Sequence, residues 1–249
     1  MSVTVRFLGT GDAFNARARC HASYLVSSPS ATLLLDCGPA ALLAMKRDNL
    51  PVEAIDAVCL SHLHGDHFAG LPFFFLTWIF DAPRQRPLTI VGPPGTEARV
   101  QELYRAMYRD ISVRPMPFPL HYTEVGDGAR TRLGIDGAAD LLAFAVPHQQ
   151  TEVSLGYRLT LDGKVVLYSG DTGWTEALVT QSRDADLFIC ECCFFDTRVD
   201  FHLDYPRIAE QRARFGCRRL VLSHLGREVL ARRDEIEEEL AFDGLVVEL

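Results

Sequence analysis

One six-residue segment limits the fold and chemistry of this chain more than any other feature. His62-Leu63-His64-Gly65-Asp66-His67 places four metal-binding side chains directly after a hydrophobic segment with the character of a buried strand, residues 56–61. Imidazole and carboxylate groups are the ligands that a borderline cation such as Zn²⁺ prefers. Gly65 allows a tight backbone turn, so the four side chains can converge. Because the whole chain contains only eight histidines, this concentration predicts a metal site.

Three further candidate ligands, His148, Asp171 and His224, each come shortly after an apolar segment that is predicted to be a strand. Side chains at the carboxyl ends of buried strands can meet at one edge of a sheet, which holds them rigidly. Any one of them alone would more often be a solvated surface residue, but together with the first cluster they favour a shared site. The predicted arrangement has one ion bound by His62, His64 and His148, a second bound by Asp66, His67 and His224, and Asp171 as the bridge.

The predicted order of strands and helices indicates a layered α/β fold, with two sheets face to face and helices outside. Strands outnumber helices, and no linker-like segment divides the chain, so we predict a single domain over residues 1–249. The predicted helices are 39–48, 96–110, 206–215 and 228–240. The predicted strands are 3–7, 22–27, 32–36, 56–61, 88–91, 141–146, 155–161, 164–169, 186–190, 219–223 and 245–248, with irregular strands over 115–140.

Composition and charge limit the partners and the location of the chain. The formal net charge is −8, and an acidic surface repels polyanions, so long nucleic acids are disfavoured. The opening residues 1–12 have the pattern of a strand rather than a secretory signal, so we expect a cytoplasmic protein with reduced cysteines. The longest apolar run, 71–80, is shorter than the ~20 residues that a membrane-spanning helix needs. No membrane partner is therefore expected.

Two segments outside the candidate metal site have structural interpretations. The segment 73–80 either covers the core as a buried helix or forms a dimer face or pocket wall, so a homodimer is one of the expected assemblies. Cys190 and Cys192 lack a second cysteine pair at zinc-finger spacing, and we expect them to point inward from a buried strand.

The segment 62–67 resembles the HxHxDH signature of the metallo-β-lactamase superfamily, and the later His148, Asp171 and His224 follow in the order of that family. The resemblance covers essentially the whole chain and implies a four-layer αββα sandwich with a dinuclear site at one sheet edge. It also implies two divalent metal ions, for which Zn²⁺ is our choice, although Mn²⁺ and Fe²⁺ also suit such ligands. The chain is most similar to ribonuclease Z and its phosphodiesterase relatives in segments 7–11, 35–38, 61–72, 92–95, 154–158, 169–173 and 220–224.

The same resemblance implies catalytic roles for two residues. In the ribonuclease Z branch a histidine upstream of the last metal ligand assists phosphate chemistry, and His202 has that place in the order of this chain. We expect His202 to contact phosphate and act as a general acid, and Asp66 to hold the attacking hydroxide while it binds metal. Alternatively, His202 is an ordinary exposed histidine. Glu191 either orients a histidine or is a structural carboxylate, and His21 either reaches the pocket or lies at the surface.

The chain departs from the transfer-RNA processing enzymes of this branch in one respect. Those enzymes carry a long arm between the ligands that correspond to His148 and Asp171, whereas a short hairpin, 149–170, connects them here. With the acidic net charge, this disfavours tRNA as a substrate and favours a small phosphodiester, a cyclic phosphate or short nucleotide, attacked by metal-bound hydroxide. The alternatives are a lactonase, thioesterase or sulfatase-type hydrolase with the same ligands. A tRNA 3′-processing endonuclease and a non-catalytic metal-binding protein are less favoured.

Overall fold

The computed structural model describes residues 2–249 and contains two seven-stranded sheets. The first sheet has the order β14-β1-β2-β3-β4-β5-β6 and consists of β1 (Thr4–Gly9), β2 (Ser23–Ser27), β3 (Thr32–Leu35), β4 (Ala57–Cys59), β5 (Leu88–Gly92), β6 (Leu120–Glu124) and β14 (Val246–Glu248). The second has the order β13-β12-β11-β10-β9-β8-β7 and consists of β7 (Arg130–Leu133), β8 (Ala139–Val146), β9 (Ser154–Leu161), β10 (Lys164–Tyr168), β11 (Leu187–Glu191), β12 (Arg219–Ser223) and β13 (Glu239–Leu240).

Helices cover the outer face of each sheet. They are α1 (Ala41–Arg47), α2 (Gly65–Phe68), α3 (Leu71–Leu76), α4 (Thr96–Met107), α5 (Arg109–Ser112), α6 (Glu176–Ser182), α7 (Tyr205–Gln211) and α8 (Arg227–Ala231). Of these, α1, α3 and α4 pack on the first sheet, whereas α6, α7 and α8 pack on the second. No helix within the described residues is both long and apolar enough to cross a membrane.

Three apolar cores produce the four layers. In β3, Leu33 and Leu35 face a central core that also contains Tyr157 of the second sheet, whereas Leu34 faces the helices of the first sheet. This alternation is the two-residue period of a strand whose two faces are both buried. A third core lies between the second sheet and its own helices. The predicted αββα sandwich is therefore confirmed.

Strand direction gathers the predicted ligands at one edge. Strands β3 to β6 are mutually parallel, as are β10 to β13. Strand β8 is antiparallel to β9, which is antiparallel to β10, so β8 and β10 run in the same direction. The segments that follow β4, β8, β10 and β12 contain all the predicted metal ligands. The prediction that each candidate follows a strand is confirmed.

The apolar segment 73–80 covers the core for most of its length. Phe74, Phe75 and Trp78 are almost fully buried, and the Trp78 Nε1–H donates a hydrogen bond to the Val52 carbonyl at 3.0 Å. Phe80 is the exception, since it is 60% exposed. At Phe74, Phe75 and Trp78 the segment therefore covers the core, as the first of the two interpretations predicts.

The prediction of a helix over 228–240 is wrong. Helix α8 ends at Ala231, a 3₁₀ turn covers Arg233–Glu235, and the chain then forms β13, which pairs in parallel with β12. Glu239 of this strand accepts two hydrogen bonds from the Arg219 guanidinium, both at 2.8 Å. Strand pairing and this bidentate ion pair override the helical propensity of the charged sequence, because intrinsic propensity is only a weak determinant.

Two further predictions concern the end of one helix and the burial of two cysteines. The Asp204 carboxylate accepts a hydrogen bond from the Arg207 amide at 3.0 Å, so it caps α7, and the α-helix ends at Gln211 rather than at residue 215. Cys190 and Cys192 are fully buried in the core between the second sheet and its helices, as predicted.

Candidate metal centre

Three histidines form the first candidate ligand group. His62 and His64 follow β4, and His148 follows β8. The Nδ1 atom of His64 lies 3.1 Å from Nε2 of His62 and 3.1 Å from Nε2 of His148. Four ligands at 2.0–2.1 Å around zinc in a tetrahedron are about 3.3 Å apart. The two distances from His64 Nδ1 are therefore close to this spacing, and the ligand atoms of all three histidines lie within 4.8 Å of one another.

The second group contains Asp66, His67 and His224. Asp66 and His67 lie on α2, where the Asp66 Oδ2 atom is 3.2 Å from His67 Nε2. His224 Nε2 lies 3.6 Å from the same oxygen. His224 has a φ of 53°, a left-handed conformation that is unfavourable for a residue with a side chain. Such strained residues concentrate at functional sites, which agrees with a role for His224 there.

Asp171 lies between the two groups. Its Oδ2 atom is 3.3 Å from Nε2 of both His67 and His224, and it is 3.9 Å from His62 Nε2 and 4.0 Å from His148 Nε2. The preceding residue, Gly170, has a φ of 60°, and a Cβ atom at that position would lie 2.4 Å from the Leu155 carbonyl oxygen. Only glycine therefore fits the turn that positions Asp171. The structure thus brings together all seven predicted ligands, hereafter the His/Asp cage: His62, His64, Asp66, His67, His148, Asp171 and His224.

The pairing of buried polar atoms tests whether these residues suit cations. Buried nitrogen and oxygen atoms almost always have a hydrogen-bond partner in native proteins. Among the described residues, His67 Nε2, both ring nitrogens of His224 and Asp171 Oδ1 have none. In contrast, the His148 Nδ1–H donates to the Phe201 carbonyl at 2.8 Å, which leaves its Nε2 as the free lone pair. The donor set therefore fits divalent cations, and the cage is a candidate divalent metal site.

The charges of the cage also favour cations. Burial raises the pKa of Asp171, but His224 and His67 lower it and outweigh burial, so this carboxyl group is ionised. Burial likewise raises the pKa of Asp66, and His67 and His224 outweigh it. Burial lowers the pKa of His67, but Asp171, Asp36 and Asp66 raise it above the ordinary value. A metal ion that binds His67 Nε2 would displace the proton that these carboxylates stabilise.

Asp36, to which the sequence reasoning assigned no role, supports both ligand groups. It is fully buried after β3, and its Oδ2 atom accepts hydrogen bonds at 2.7 Å from His67 Nδ1 and from the Ser61 hydroxyl, and another from the Tyr168 hydroxyl. The Ser61 oxygen in turn lies 3.0 Å from His62 Nδ1. Because Nδ1 of both histidines is held in this network, their Nε2 atoms are directed to the cage. Asp36 comes directly after β3, as the ligands come after their strands, but that position alone does not distinguish it from an ordinary turn residue.

At the wall of the cage, the partly exposed His202 pairs with the buried Glu191. His202 Nδ1 lies 2.8 Å from Glu191 Oε1, and the Glu191 carboxylate also accepts hydrogen bonds from the amides of Thr172 at 2.7 Å and Cys193 at 3.2 Å. The imidazole of His202 stacks on that of His224 with ring centroids 5.6 Å apart. Burial lowers the pKa of His202, but Glu191 raises it and outweighs burial, to about 9. The geometry favours the orienting role for Glu191.

A cavity of about 650 Å³ opens above the cage. Phe14, Phe194 and Phe201 contribute apolar walls that the sequence reasoning did not identify, whereas His21 is not among the lining residues. Phe14 is 87% exposed, although its backbone is fixed: the Asp12 carboxylate accepts a hydrogen bond from the Phe14 amide at 3.2 Å. Phe14 therefore places an exposed aromatic ring at the wall of the cavity.

Fold and site together define a protein of the metallo-β-lactamase fold with a candidate divalent metal centre. The fold is similar to that of YhfI from Bacillus subtilis, with a TM-score of 0.79, 22% identity and coverage of 100% of this chain and 99% of that one. It is also similar to human tRNase Z, short form, with a TM-score of 0.78, 24% identity and 98% coverage of both chains.

Similarity in sequence shows the family to which the chain belongs. The chain is 29% identical to ribonuclease Z of Mycobacterium marinum over 259 residues. This alignment covers 96% of this chain and 92% of that protein. The family profile described as Anti-Pycsar protein Apyc1 matches residues 3–242. The chain therefore belongs to the Anti-Pycsar protein Apyc1 family and is a metal-dependent hydrolase of the ribonuclease Z-like branch.

Proposed function

We propose that this protein hydrolyses a small phosphodiester, a cyclic phosphate or a short nucleotide, with two zinc ions in the His/Asp cage. The observation that carries the proposal is the His202–Glu191 pair, with a nitrogen–oxygen distance of 2.8 Å. A phosphodiester gains negative charge on its phosphoryl oxygens in the transition state, and a fixed cationic donor beside the cage stabilises that charge. A lactone or thioester carries no formal charge, so it would use this pair less.

The residues of the chain have distinct roles in the proposed reaction. When bound, two cations would supply an activated water and neutralise charge on the phosphoryl oxygens. Asp66 borders the cavity and orients the nucleophile through its carboxylate. Because Glu191 holds Nδ1 of His202, the opposite Nε2–H is the group that can donate its proton to the departing oxygen. The rings of Phe194 and Phe201 contact the His202 imidazole edge to face, with centroids 5.9 and 5.5 Å away, and so help to hold its orientation.

The size of the substrate is inferred from the cavity and its surroundings. The connection between His148 and Asp171 consists of strands β9 and β10 and short segments on either side of them, without a long arm. A cavity of about 650 Å³ accommodates a ligand of mononucleotide size. The net charge of −8 opposes long-range attraction of a polyanion such as tRNA. These features support a small substrate.

The proposal is tested by hydrolysis of bis-p-nitrophenyl phosphate by the zinc-loaded protein, in parallel with lactones, thioesters, sulfate esters and a precursor tRNA. We expect phosphodiester cleavage, and Asp66→Ala should lower it about a thousandfold, or roughly 4 kcal/mol of activation free energy. Asp110→Ala, which removes an exposed carboxylate on α5, is the matched control and should retain full activity. Turnover of a lactone or thioester without phosphodiester cleavage would contradict the proposal, and tRNA cleavage alone would contradict the small substrate.

Phe14 is expected to set the affinity for a substrate that carries a nucleobase. The ring stands in solvent at the cavity wall, and stacking of a base on an aromatic side chain contributes about 1–3 kcal/mol. Phe14→Ala should therefore raise KM for a nucleoside cyclic phosphate about tenfold, with kcat within about twofold. Phe14→Trp should retain the low KM. A base-free cyclic phosphate serves as the internal control, and an equal rise in its KM would show that Phe14 acts on the loop rather than on a base.

A further inference from the structure

We infer that a second pocket, lined by Arg17, Arg19 and Arg233, binds a phosphoryl dianion. This arginine pocket has a volume of about 320 Å³, and its other lining residues are Leu230, Leu240, Ala241 and Phe242. None of these residues lines the cavity above the cage. The pocket is therefore a separate binding site rather than an extension of the proposed active site.

The charges around the arginine pocket are incompletely compensated. Its described lining contains three guanidinium groups and no carboxylate, in a chain whose net charge is −8. Two carboxylates lie nearby. The Asp243 oxygens accept hydrogen bonds at 2.7 Å from the Thr10 hydroxyl and the Cys20 amide, and Asp234 Oδ1 lies 3.8 Å from Arg233 Nε in a solvent-exposed pair. Burial lowers the pKa of Arg19, Asp243 raises it, and Arg233 and Arg17 each lower it again, so the three cations repel one another in the presence of Asp243. A bound anion would relieve this repulsion.

The backbone brings two of these arginines together before any ligand binds. The Nη1 atom of Arg19 donates hydrogen bonds at 2.7 Å to both the Thr10 hydroxyl and the Ala241 carbonyl, so its guanidinium is fixed. Arg17 and Ala18 have φ values of 53° and 61°, which are unfavourable for residues with side chains. Asn15 holds this turn because its Nδ2 donates to the Arg19 carbonyl at 2.8 Å. Preorganised donors of this kind lower the entropic cost of binding.

The lining indicates the chemistry of the ligand. Planar guanidinium groups bind phosphate oxygens in a bidentate manner, and several of them converge where a dianion is recognised. Leu230 is buried beneath the pocket, and Phe242 is 54% exposed at its side, so an apolar surface adjoins the charged one. A phosphoryl group alone satisfies the arginines, and a phosphomonoester with a small organic body would contact the apolar surface as well.

The test is isothermal titration calorimetry of the zinc-loaded protein with inorganic phosphate and with phenyl phosphate. The variant Arg17→Gln/Arg233→Gln removes the two exposed arginines and leaves Arg19, which has structural hydrogen bonds. The matched control Arg109→Gln/Arg132→Gln removes two exposed arginines elsewhere. We expect the wild type and the control to bind one more equivalent of phosphate than the pocket variant. If the variant still binds at this site, its dissociation constant for phosphate should be at least about tenfold higher.

Several readouts separate the possible results. Phosphodiester hydrolysis without added anion should be equal in all three proteins, because neither arginine pair lines the cavity above the cage. Tighter binding of phenyl phosphate than of inorganic phosphate, lost in the pocket variant, would identify a phosphorylated organic ligand, whereas equal affinities would identify free phosphate. Identical stoichiometry and affinity in the wild type and the pocket variant would overturn the inference, and the proposed hydrolysis would be unaffected by that result.

Discussion

Replacement of His202 by asparagine is expected to lower kcat for phosphodiester hydrolysis by about 10²–10⁴-fold, the range typical of a lost general acid. The substitution removes the proton donor beside the cage but none of the candidate metal ligands. Metal content should therefore be unchanged when it is measured by elemental analysis of the purified protein. A substrate with a p-nitrophenol leaving group, which needs little protonation, should lose less activity than one with an alkyl leaving group. Equal losses for both substrates would show that His202 stabilises phosphoryl charge only.

Substitution of Glu191, the partner of His202, tests the general-acid role independently through the pH dependence of kcat. Glu191 raises the pKa of His202, to about 9, because the carboxylate stabilises the protonated imidazole. The acid form is therefore present below that pKa and is lost as pH rises through it. Glu191→Gln removes the negative charge, so the pKa of His202 should fall and the alkaline limb of the kcat profile should move to lower pH. Glu176→Gln, an exposed carboxylate paired with Arg214, is the control and should leave the profile in place.

The Glu191 variant also separates positioning from simple stability. A purely structural carboxylate would change the unfolding midpoint of the protein without displacing the alkaline limb. Glu191 also accepts hydrogen bonds from the Thr172 and Cys193 amides, so some loss of stability is expected in addition to the pH effect. An unmoved alkaline limb in a folded, metal-loaded Glu191→Gln protein would contradict the proposed role.

Asp36→Asn is expected to weaken metal binding by about 10–100-fold, the usual effect of removing an outer partner of a metal-binding histidine. The wild-type carboxylate accepts from His67 Nδ1, from the Ser61 hydroxyl and amide, and from the Tyr168 hydroxyl. An asparagine would direct an N–H group at one of these donors, and the unpaired buried groups should cost about 3 kcal/mol of unfolding free energy. Because His62 and His67 belong to different ligand groups, both ions should bind more weakly.

Two measurements check this prediction, namely competition for zinc with a chelator and denaturant unfolding with and without metal. Asp56→Asn is the matched control. Asp56 also accepts hydrogen bonds, from the Thr32 amide and from Arg86, but it lies before β4, at the opposite end of that strand from the cage. It should lose some stability but retain wild-type zinc affinity. Loss of stability in Asp36→Asn with unchanged chelator competition would reduce Asp36 to a structural role.

The ligand arrangement was predictable because its signal is local. Four of the ligands lie within residues 62–67, and the other three each follow an apolar strand, so strand direction alone places them at a common edge. The role of Asp36 was not predictable in this way, since it depends on contacts with His67, Ser61 and Tyr168, which are distant in sequence. An aspartate after a strand is also common in ordinary turns.

The segment 228–240 shows why charge and periodicity were insufficient there. Its charged residues suit an exposed helix, but the pairing of β13 with the edge of the second sheet is a tertiary interaction. Phe14 was missed for a related reason, because its importance lies in its exposure rather than in any pattern of neighbouring residues. The spacing of apolar residues along a sequence indicates which side chains are buried. It gives no indication of a ring that is exposed at the wall of a cavity.

The division of the cage between the two sheets has a consequence for how the protein matures. The segment after β4 contributes His62, His64, Asp66 and His67, whereas the segments after β8, β10 and β12 contribute His148, Asp171 and His224. A nascent chain on the ribosome has the first four side chains long before it has the bridging carboxylate and the last histidine. The complete cage therefore exists only after β12 has been translated and one sheet has docked on the other.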